Sequence, residues 1–280
     1  MNKPLIGFIG QGWIGKNYAD DFEKRGLKTV RYALEVPYAQ NKEKIKECGI
    51  VFVAVPTPTT PKGFDASIVE NALGLVGKGK IAVLKSTILP GTTTRLQEKY
   101  SHALLLYAPE FLSETTAAHD AANPFSNVVG LSVDDAVHRK AAEEVLAVLP
   151  PAPFVQVCTS TEAEFIKYSH NLNGYFQILL ANVLYDAAQK LGADWEQVRS
   201  ALDHDPFVAK RYGKPVHKSG RGAGGGCFIK DFAAFRELYA KTVPNDAKGL
   251  AMLAALEQKN IALLRESKKD LDLLRGVYGQ

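Results

Sequence analysis

Residues 5–26 read LIGFIGQGWIGKNYADDFEKRG, a short apolar run, a glycine hexapeptide and a polar stretch closed by another glycine. Leu5 to Ile9 has the composition of a buried strand, and Lys16 to Arg25 is compatible with a helix that Gly26 can end, because glycine accepts positive φ. Between them lies Gly10-Gln11-Gly12-Trp13-Ile14-Gly15, a GxGxxG in strand-turn-helix context. There the first glycine permits the tight turn, the second lets backbone approach a pyrophosphate, and the third allows close helix–strand packing, with the helix N-terminus facing the phosphates. A second β-type run, Thr29 to Leu34, completes a βαβ unit. The reading is dinucleotide binding. An acid that holds the adenosine ribose is expected about 20 residues on, and Glu35 is the acid there. Arg31 nearby is the alternative, as a partner for a 2′-phosphate, so NAD is favoured over NADP.

Outward from this unit, further buried-strand candidates are Ile50–Val55, Ile81–Leu84, Leu104–Tyr107, Val128–Leu131 and Phe154–Val157. They alternate with helical stretches (Pro61 to Val76 in part, Thr92 to Tyr100, Asp134 to Val148), which predicts an α/β fold, a Rossmann-type doubly wound, mostly parallel sheet. After Cys158 the character changes. Thr161 with Glu164 reads as a capping box opening one long helix that runs to Leu191 before Gly192, with Phe165, Tyr168, Leu172, Phe176, Leu179, Leu180, Val183 and Leu184 giving a wide apolar surface. Asp194–Leu202, Asp231–Tyr239 and Asp246–Leu274 also read as helix. Two domains are therefore expected, 1–158 for the dinucleotide and 159–280 as an all-helical domain hung on a long connecting helix.

The composition is that of a globular protein: of 280 residues, 46% are hydrophobic and 23% charged, which excludes a disordered or fibrous chain. The longest apolar runs are far too short to span a membrane, and the first ten residues lack a charged leader and a cleavage site, so a cytoplasmic protein without membrane attachment is expected. Three cysteines without CxxC spacing and six histidines without an HExxH pair speak against disulfides and metal. The net charge of +4 is spread along the chain, which disfavours a nucleic-acid partner.

Three constellations carry candidate chemistry. Lys167 and Asn171 stand one helical turn apart, two donors able to polarise a carbonyl and hold an oxyanion, or else part of a solvated polar stripe. Glu110 and Glu114, in APEFLSE, follow a predicted strand, at the strand's carboxyl end, where open parallel sheets place ligands; a helix N-terminus decorated with acids is the alternative. The third is GRGAGGGCFIKD, residues 220–231. Its glycines let backbone approach a ligand, and Cys227 stands where a helix should open, a setting that lowers a thiol's pKa and makes a nucleophile; a buried, inert cysteine is the bland alternative. Cys48 and Cys158 read as core residues. Lys210, Arg211, Lys214, Lys218 and Arg221 are candidates for gripping a diphosphate, or for a solvated mobile loop.

Taken in order, GQGWIG, VAVPTPT (53–59), KSTILPGTT (85–93), APEFLSE (108–114), the Lys167/Asn171 pair and GAGGGCFIKD (222–231) resemble the motifs of UDP-glucose and GDP-mannose dehydrogenases over residues 5 to about 265. The resemblance implies NAD as cofactor and oxidation of a nucleotide sugar's C6 hydroxymethyl to a carboxylate in two steps. It makes Cys227 the nucleophile that traps the aldehyde as a thiohemiacetal and then a thioester. It gives Lys167 and Asn171 the oxyanion, Asp231 a proton-transfer role or the orientation of Lys167, and Glu110 with Thr87 the hydrolytic water. Gly10, Gly12, Trp13, Ile14, Gly15, Glu35, Val55, Pro56, Thr57, Thr87 and Glu114 fall at cofactor-binding positions. Glu110, Phe111, Leu112, Lys167, Asn171, Gly222 and Gly225 fall at substrate-binding ones. Departures are a ribose acid displaced by two from Ala33, Ala223 for an aromatic, and Gly226 for a serine. The family's usual third domain, for the nucleotide half of the substrate, has no counterpart, so a partner chain supplying it is one expectation and a homodimer through the long apolar helix another.

Two other readings remain open. A β-hydroxyacid dehydrogenase, a two-domain family that also uses a Lys-x-x-x-Asn pair, performs one oxidation and has no use for a cysteine trap. A non-catalytic NAD-binding subunit would need none of the candidate catalytic side chains.

Overall fold

The computed structural model describes residues 4–279. Two compact units divide the chain: one comprises Met1–Thr57 and Asp65–Lys167, the other Pro58–Phe64 and Tyr168–Gln280. The first unit begins with β1 (Ile6–Ile9), α1 (Trp13–Lys24), β2 (Thr29–Tyr32), a 3-10 segment over Tyr38–Glu47, and β3 (Ile50–Val53). A hairpin of β4 (Thr59–Thr60) and β5 (Gly63–Phe64) belongs to the second unit. The first then resumes with α2 (Ser67–Leu73), β6 (Ile81–Leu84), α3 (Thr92–Lys99), β7 (Leu104–Tyr107), α4 (Ala117–Ala122), β8 (Ser126–Leu131), α5 (Ala136–Val148) and β9 (Phe154–Thr159).

Its sheet runs β2-β1-β3-β6-β7-β8-β9, and every neighbouring pair is parallel except β7 with β8. IGFI, IVFV and IAVL (β1, β3, β6) are buried along their whole length, as central parallel strands covered on both faces must be. Phe8 stacks on Phe52 at 5.3 Å and Phe22 of α1 meets both edge-on, which fastens the first helix to the first and third strands. The chain turns to β2 on one side of β1 and to β3 on the other, so a switch point lies at the carboxyl ends of β1 and β3, where open sheets of this kind bind ligands.

The second unit contains most of α6 (Ser160–Lys190), which begins in the first, then α7 (Trp195–Leu202), a small hairpin of β10 (Val216–His217) and β11 (Gly220–Arg221), α8 (Gly225–Thr242), α9 (Ala247–Glu266) and α10 (Leu271–Tyr278). It is thus not wholly helical. The β4–β5 hairpin lies against α8 and α10, with Thr59 Oγ1 donating to Lys230 O at 3.0 Å. The helix expected over 246–274 is two, broken at 267–270. Helix is also confined to 67–73 within 61–76.

The capping box differs from the sequence expectation. The reciprocal bonds are made by Thr159 and Glu162: Thr159 N and Oγ1 donate to Glu162 Oε2 at 2.8 Å, and Glu162 N donates back at 3.3 Å. Thr161 and Glu164 sit two residues further in, and Glu164 is buried. Its carboxyl accepts from Gly91 N (2.6 Å), Thr93 N (2.8 Å) and Thr93 Oγ1 (2.6 Å), capping α3 instead of its own helix. Two overlapping S/T-x-x-E spacings exist here, and tertiary contact decides between them.

Candidate active site

The glycine turn has the local geometry its roles require. Gly10 has φ +93°, and a Cβ there would stand 2.2 Å from Ala54 O; a Cβ on Gly15 would stand 1.9 Å from Gly10 O. Gly12, the N-cap of α1, offers no side-chain cap, and a Cβ there meets nothing within 4 Å. The N–H groups that open α1, next to exposed Trp13 and half-buried Ile14, therefore stand where an anion can be received. Beside them Val55 N donates to Ser86 Oγ at 3.0 Å while Ser86 Oγ donates to Val55 O at 2.7 Å. Pro56 is exposed, and buried Thr57 donates to Thr87 O at 2.7 Å. Glu35 is exposed just beyond β2, and Ala33 is buried. Arg31 is held by α1, at 2.7 Å from Asp20 and 2.6 Å from Glu23. A guanidinium committed to two carboxylates is poorly placed to meet a 2′-phosphate, so these residues fit a dinucleotide with a free ribose.

At the carboxyl ends of β6 and β7 the same unit gathers a buried charged cluster. Lys167 donates to Glu110 Oε1 and to Glu110 O, both at 2.7 Å, and Leu112 N donates to Glu110 Oε2 at 2.8 Å. Burial works against the Glu110 charge, but the Lys167 ammonium, these hydrogen bonds and Lys85 outweigh it and hold the carboxyl below the usual carboxylate range. Buried Lys85 donates to Ala108 O at 3.1 Å and lies 4.1 Å from the centre of the Tyr18 ring. Burial pulls its ammonium down to about 7. Thr87 is buried at the end of β6, Phe111 packs on Phe125 with ring centres 5.1 Å apart, and Glu114 is exposed in a turn before α4. The only mark Lys85 carries in the sequence is its place beside Thr87 in KSTILPGTT.

In the second unit, Cys227 is exposed in the first turn of α8. One turn on, buried Asp231 accepts from Asn171 Nδ2 at 2.7 Å and from Lys230 Nζ at 2.5 Å. By contrast Cys48 is buried and Cys158 half-buried on β9, and burial pushes both thiols up to about 11. The glycine loop before Cys227 is tied down by hydrogen bonds and is not simply solvated. Gly222 is buried at φ +87°, Ala223 N donates to Asn260 Oδ1 at 2.7 Å, and Gly225 N donates to Asp270 Oδ2 at 2.7 Å. The Arg221 guanidinium is taken by Asn182 Oδ1 (2.8 Å) and Asp186 (2.6 Å) on α6. Among the described residues no group of three or more His, Cys, Asp or Glu could hold a metal, and no helix is long and apolar enough to cross a membrane.

Comparison with known proteins gives these arrangements a context. UDP-glucose 6-dehydrogenase AglM of Haloferax volcanii is 30% identical over 249 residues, which cover 78% of this chain and 56% of that protein. The chain spans about half the length of the curated relatives it matches. A UDP-glucose dehydrogenase from Pyrobaculum islandicum shares the fold with a TM-score of 0.79 at 24% identity, covering 94% of this chain and 69% of that one. A 3-hydroxyisobutyrate dehydrogenase of Mycobacterium tuberculosis does so with a TM-score of 0.73 at 16% identity, covering 99% of each. The UDP-glucose/GDP-mannose dehydrogenase family's NAD binding domain matches residues 27–149 and its central domain matches residues 161–261. With both family domains matched in order along most of its length, the chain belongs to the UDP-glucose/GDP-mannose dehydrogenase family.

Proposed function

We propose that the chain is an NAD-dependent oxidoreductase that takes the C6 hydroxymethyl of a nucleotide sugar to the carboxylate. Residues 1–158 serve as the NAD-binding domain and 159–280 as the helical domain that carries the catalytic cysteine. NAD, when bound, accepts one hydride in each of two oxidations. The Cys227 thiol adds across the aldehyde formed in the first, sulfur to carbon and proton to oxygen, giving a thiohemiacetal. The second removes the remaining hydride from that carbon and a proton from its oxygen, leaving a thioester. Water then attacks the thioester carbon, the C–S bond breaks, and acid and thiol are released. Lys167 and Asn171 donate to the substrate oxygen, Asp231 moves a proton, and Glu110 with Thr87 holds the water. Phe111, Leu112, Gly222 and Gly225 line the sugar's side.

The observation that carries this reading is Cys227 exposed in the first turn of α8, one turn from the buried Asp231–Asn171 pair. The full-length match to the 3-hydroxyisobutyrate dehydrogenase favours a second reading, a single two-electron oxidation of a β-hydroxyacid. A non-catalytic NAD-binding subunit is the third. Counting NADH formed per UDP-glucose or related sugar separates them: two supports the four-electron enzyme, one the hydroxyacid type, none a binding subunit or a different substrate. Cys227→Ala abolishes acid formation if the thiol is the trap; acid formed at the wild-type rate overturns that role. A homodimer in the cytoplasm, with a partner chain completing the nucleotide side of the site, belongs to the same reading.

A further inference from the structure

The turn between α9 and α10 closes on the loop that delivers Cys227. Ser267 Oγ accepts from Arg221 N at 3.0 Å, and buried Lys269 donates to Gly222 O at 2.9 Å and Gly220 O at 3.4 Å. Asn260 of α9 brackets Ala223, accepting from its N–H at 2.7 Å and donating to its carbonyl at 3.0 Å. Asp270 stands at the N-cap of α10, the place where an aspartate ordinarily accepts from its own helix. It makes no such bond there. Its backbone is left-handed, φ +53°, and its carboxylate instead receives Gly225 N–H, the first residue of α8, at 2.7 Å. The glycines of the loop answer to this clamp: a Cβ on Gly224 would stand 2.0 Å from Asp270 Oδ2, and one on Gly220 2.5 Å from Ser267 Oγ. Ser267, Lys269 and Asp270 all lie beyond the residues matched by the family's central domain.

We infer that Asp270 is a positioning residue for Cys227: it caps α8 in place of glycine at the N-cap, and its negative charge, tempered by the adjacent Lys269, sets how readily the thiol ionises. The bare N-terminus of a helix favours thiolate, and a carboxylate at that terminus opposes it. The thiol is therefore kept more protonated at rest than an uncapped helix would keep it, and the thiolate that attacks an aldehyde forms as the proton leaves. Charged groups on the elements around this end of α8 include Lys230 and Asp231 on the same helix, Lys218 in the β10–β11 turn, Arg221, which is paired with Asp186, and Arg211, whose guanidinium lies over the Tyr212 ring that packs on Phe228.

This rests on Cys227 being the nucleophile, but its test uses neither sugar nor turnover. The full chain is alkylated with iodoacetamide between pH 6 and 10, and the Cys227 peptide is followed by mass spectrometry, which separates it from Cys48 and Cys158. Asp270→Asn keeps an acceptor and removes the charge; its alkylation midpoint should fall by about 0.3–0.7 pH unit. Lys269→Gln keeps a donor and removes the opposite charge, so its midpoint should rise. Midpoints equal to wild type in both variants, with helical circular dichroism retained, overturn the proposal. If Asp270→Asn does not fold, an unmoved Lys269→Gln midpoint overturns it alone. Shifted midpoints beside a Cys227→Ala enzyme that still makes acid leave the clamp standing and the nucleophile reading refuted.

Discussion

An alanine at Gly15 would bring its methyl carbon to 1.9 Å from Gly10 O, whereas the same change at Gly12 meets no heavy atom within 4 Å. Gly15→Ala should therefore lower stability by about 1–3 kcal/mol through forced backbone displacement. Gly12→Ala should leave the melting temperature close to wild type and weaken NAD, because its methyl occupies the approach of the pyrophosphate. Thermal denaturation and a fluorescence titration with NAD check the pair; a destabilised Gly12→Ala with intact affinity would reverse the assignment. Lys85 gives a pH prediction. Folded, it sheds its proton at about 7, while the unfolded chain keeps it to 10.5. Between those values the unfolded state binds more protons, so stability rises with pH, by at most about 1.4 kcal/mol per pH unit. Lys85→Met removes that slope: its stability relative to wild type should be greatest at pH 6.5 and fall by roughly 2 kcal/mol by pH 9, read from urea denaturation at each pH. The glycine turn could be read from sequence because each role depends on neighbours a few positions away. The pairing of Lys167 with Glu110, the burial of Lys85 and the reach of Asp270 to Gly225 could not, since each joins residues distant in sequence.

The start of α6 shows the same limit among elements. S/T-x-x-E occurs twice in overlapping register, and only contact with α3 reveals that the first closes the box and that the second serves another helix. Replacing Glu162 by Ala should cost about 1 kcal/mol, the ordinary loss of a cap. Glu164→Leu should cost more, about 2–4 kcal/mol, because it strips the acceptor from half-buried Gly91 and buried Thr93 donors at once. Urea denaturation of both variants ranks them, and a costlier Glu162→Ala would contradict the assignment. Strand positions were legible because IGFI, IVFV and IAVL are continuous apolar runs between turn signals. The β4–β5 and β10–β11 hairpins were not, being two residues a side, too short for alternation to register. The break at 267–270 has no signature in the sequence because it contains neither glycine nor proline; Lys268 and Asp270 take positive φ without either.

For the molecule as a whole, α6 presents Leu180 (59% exposed), Val183 and Leu184 on its outer side, with Leu191 just past its end. Adjacent apolar groups on one helix face suit a second copy. Sedimentation at micromolar concentration should give twice the 30.5 kDa protomer mass, and Leu184→Glu should return it to the protomer without altering the melting of the fold; a wild-type protomer would remove the dimer from the proposed function. A division after Cys158 was the expectation legible in the sequence, whereas the compact units part between Lys167 and Tyr168. The exchange of Pro58–Phe64 into the second unit was not legible, because nothing local distinguishes a turn that stays from one that leaves. That hairpin passes the chain from the first unit to the second and back before α6 crosses for the last time. No single cut in the gene can then yield both units whole. A fragment beginning at residue 168 would lack the strand pair that lies on α8 and α10, and one ending at 167 would carry seven residues with nothing to dock on. Shuffling either unit onto a foreign partner would require three junctions instead of one, which ties the inheritance of the nicotinamide-binding half to that of the half bearing the thiol.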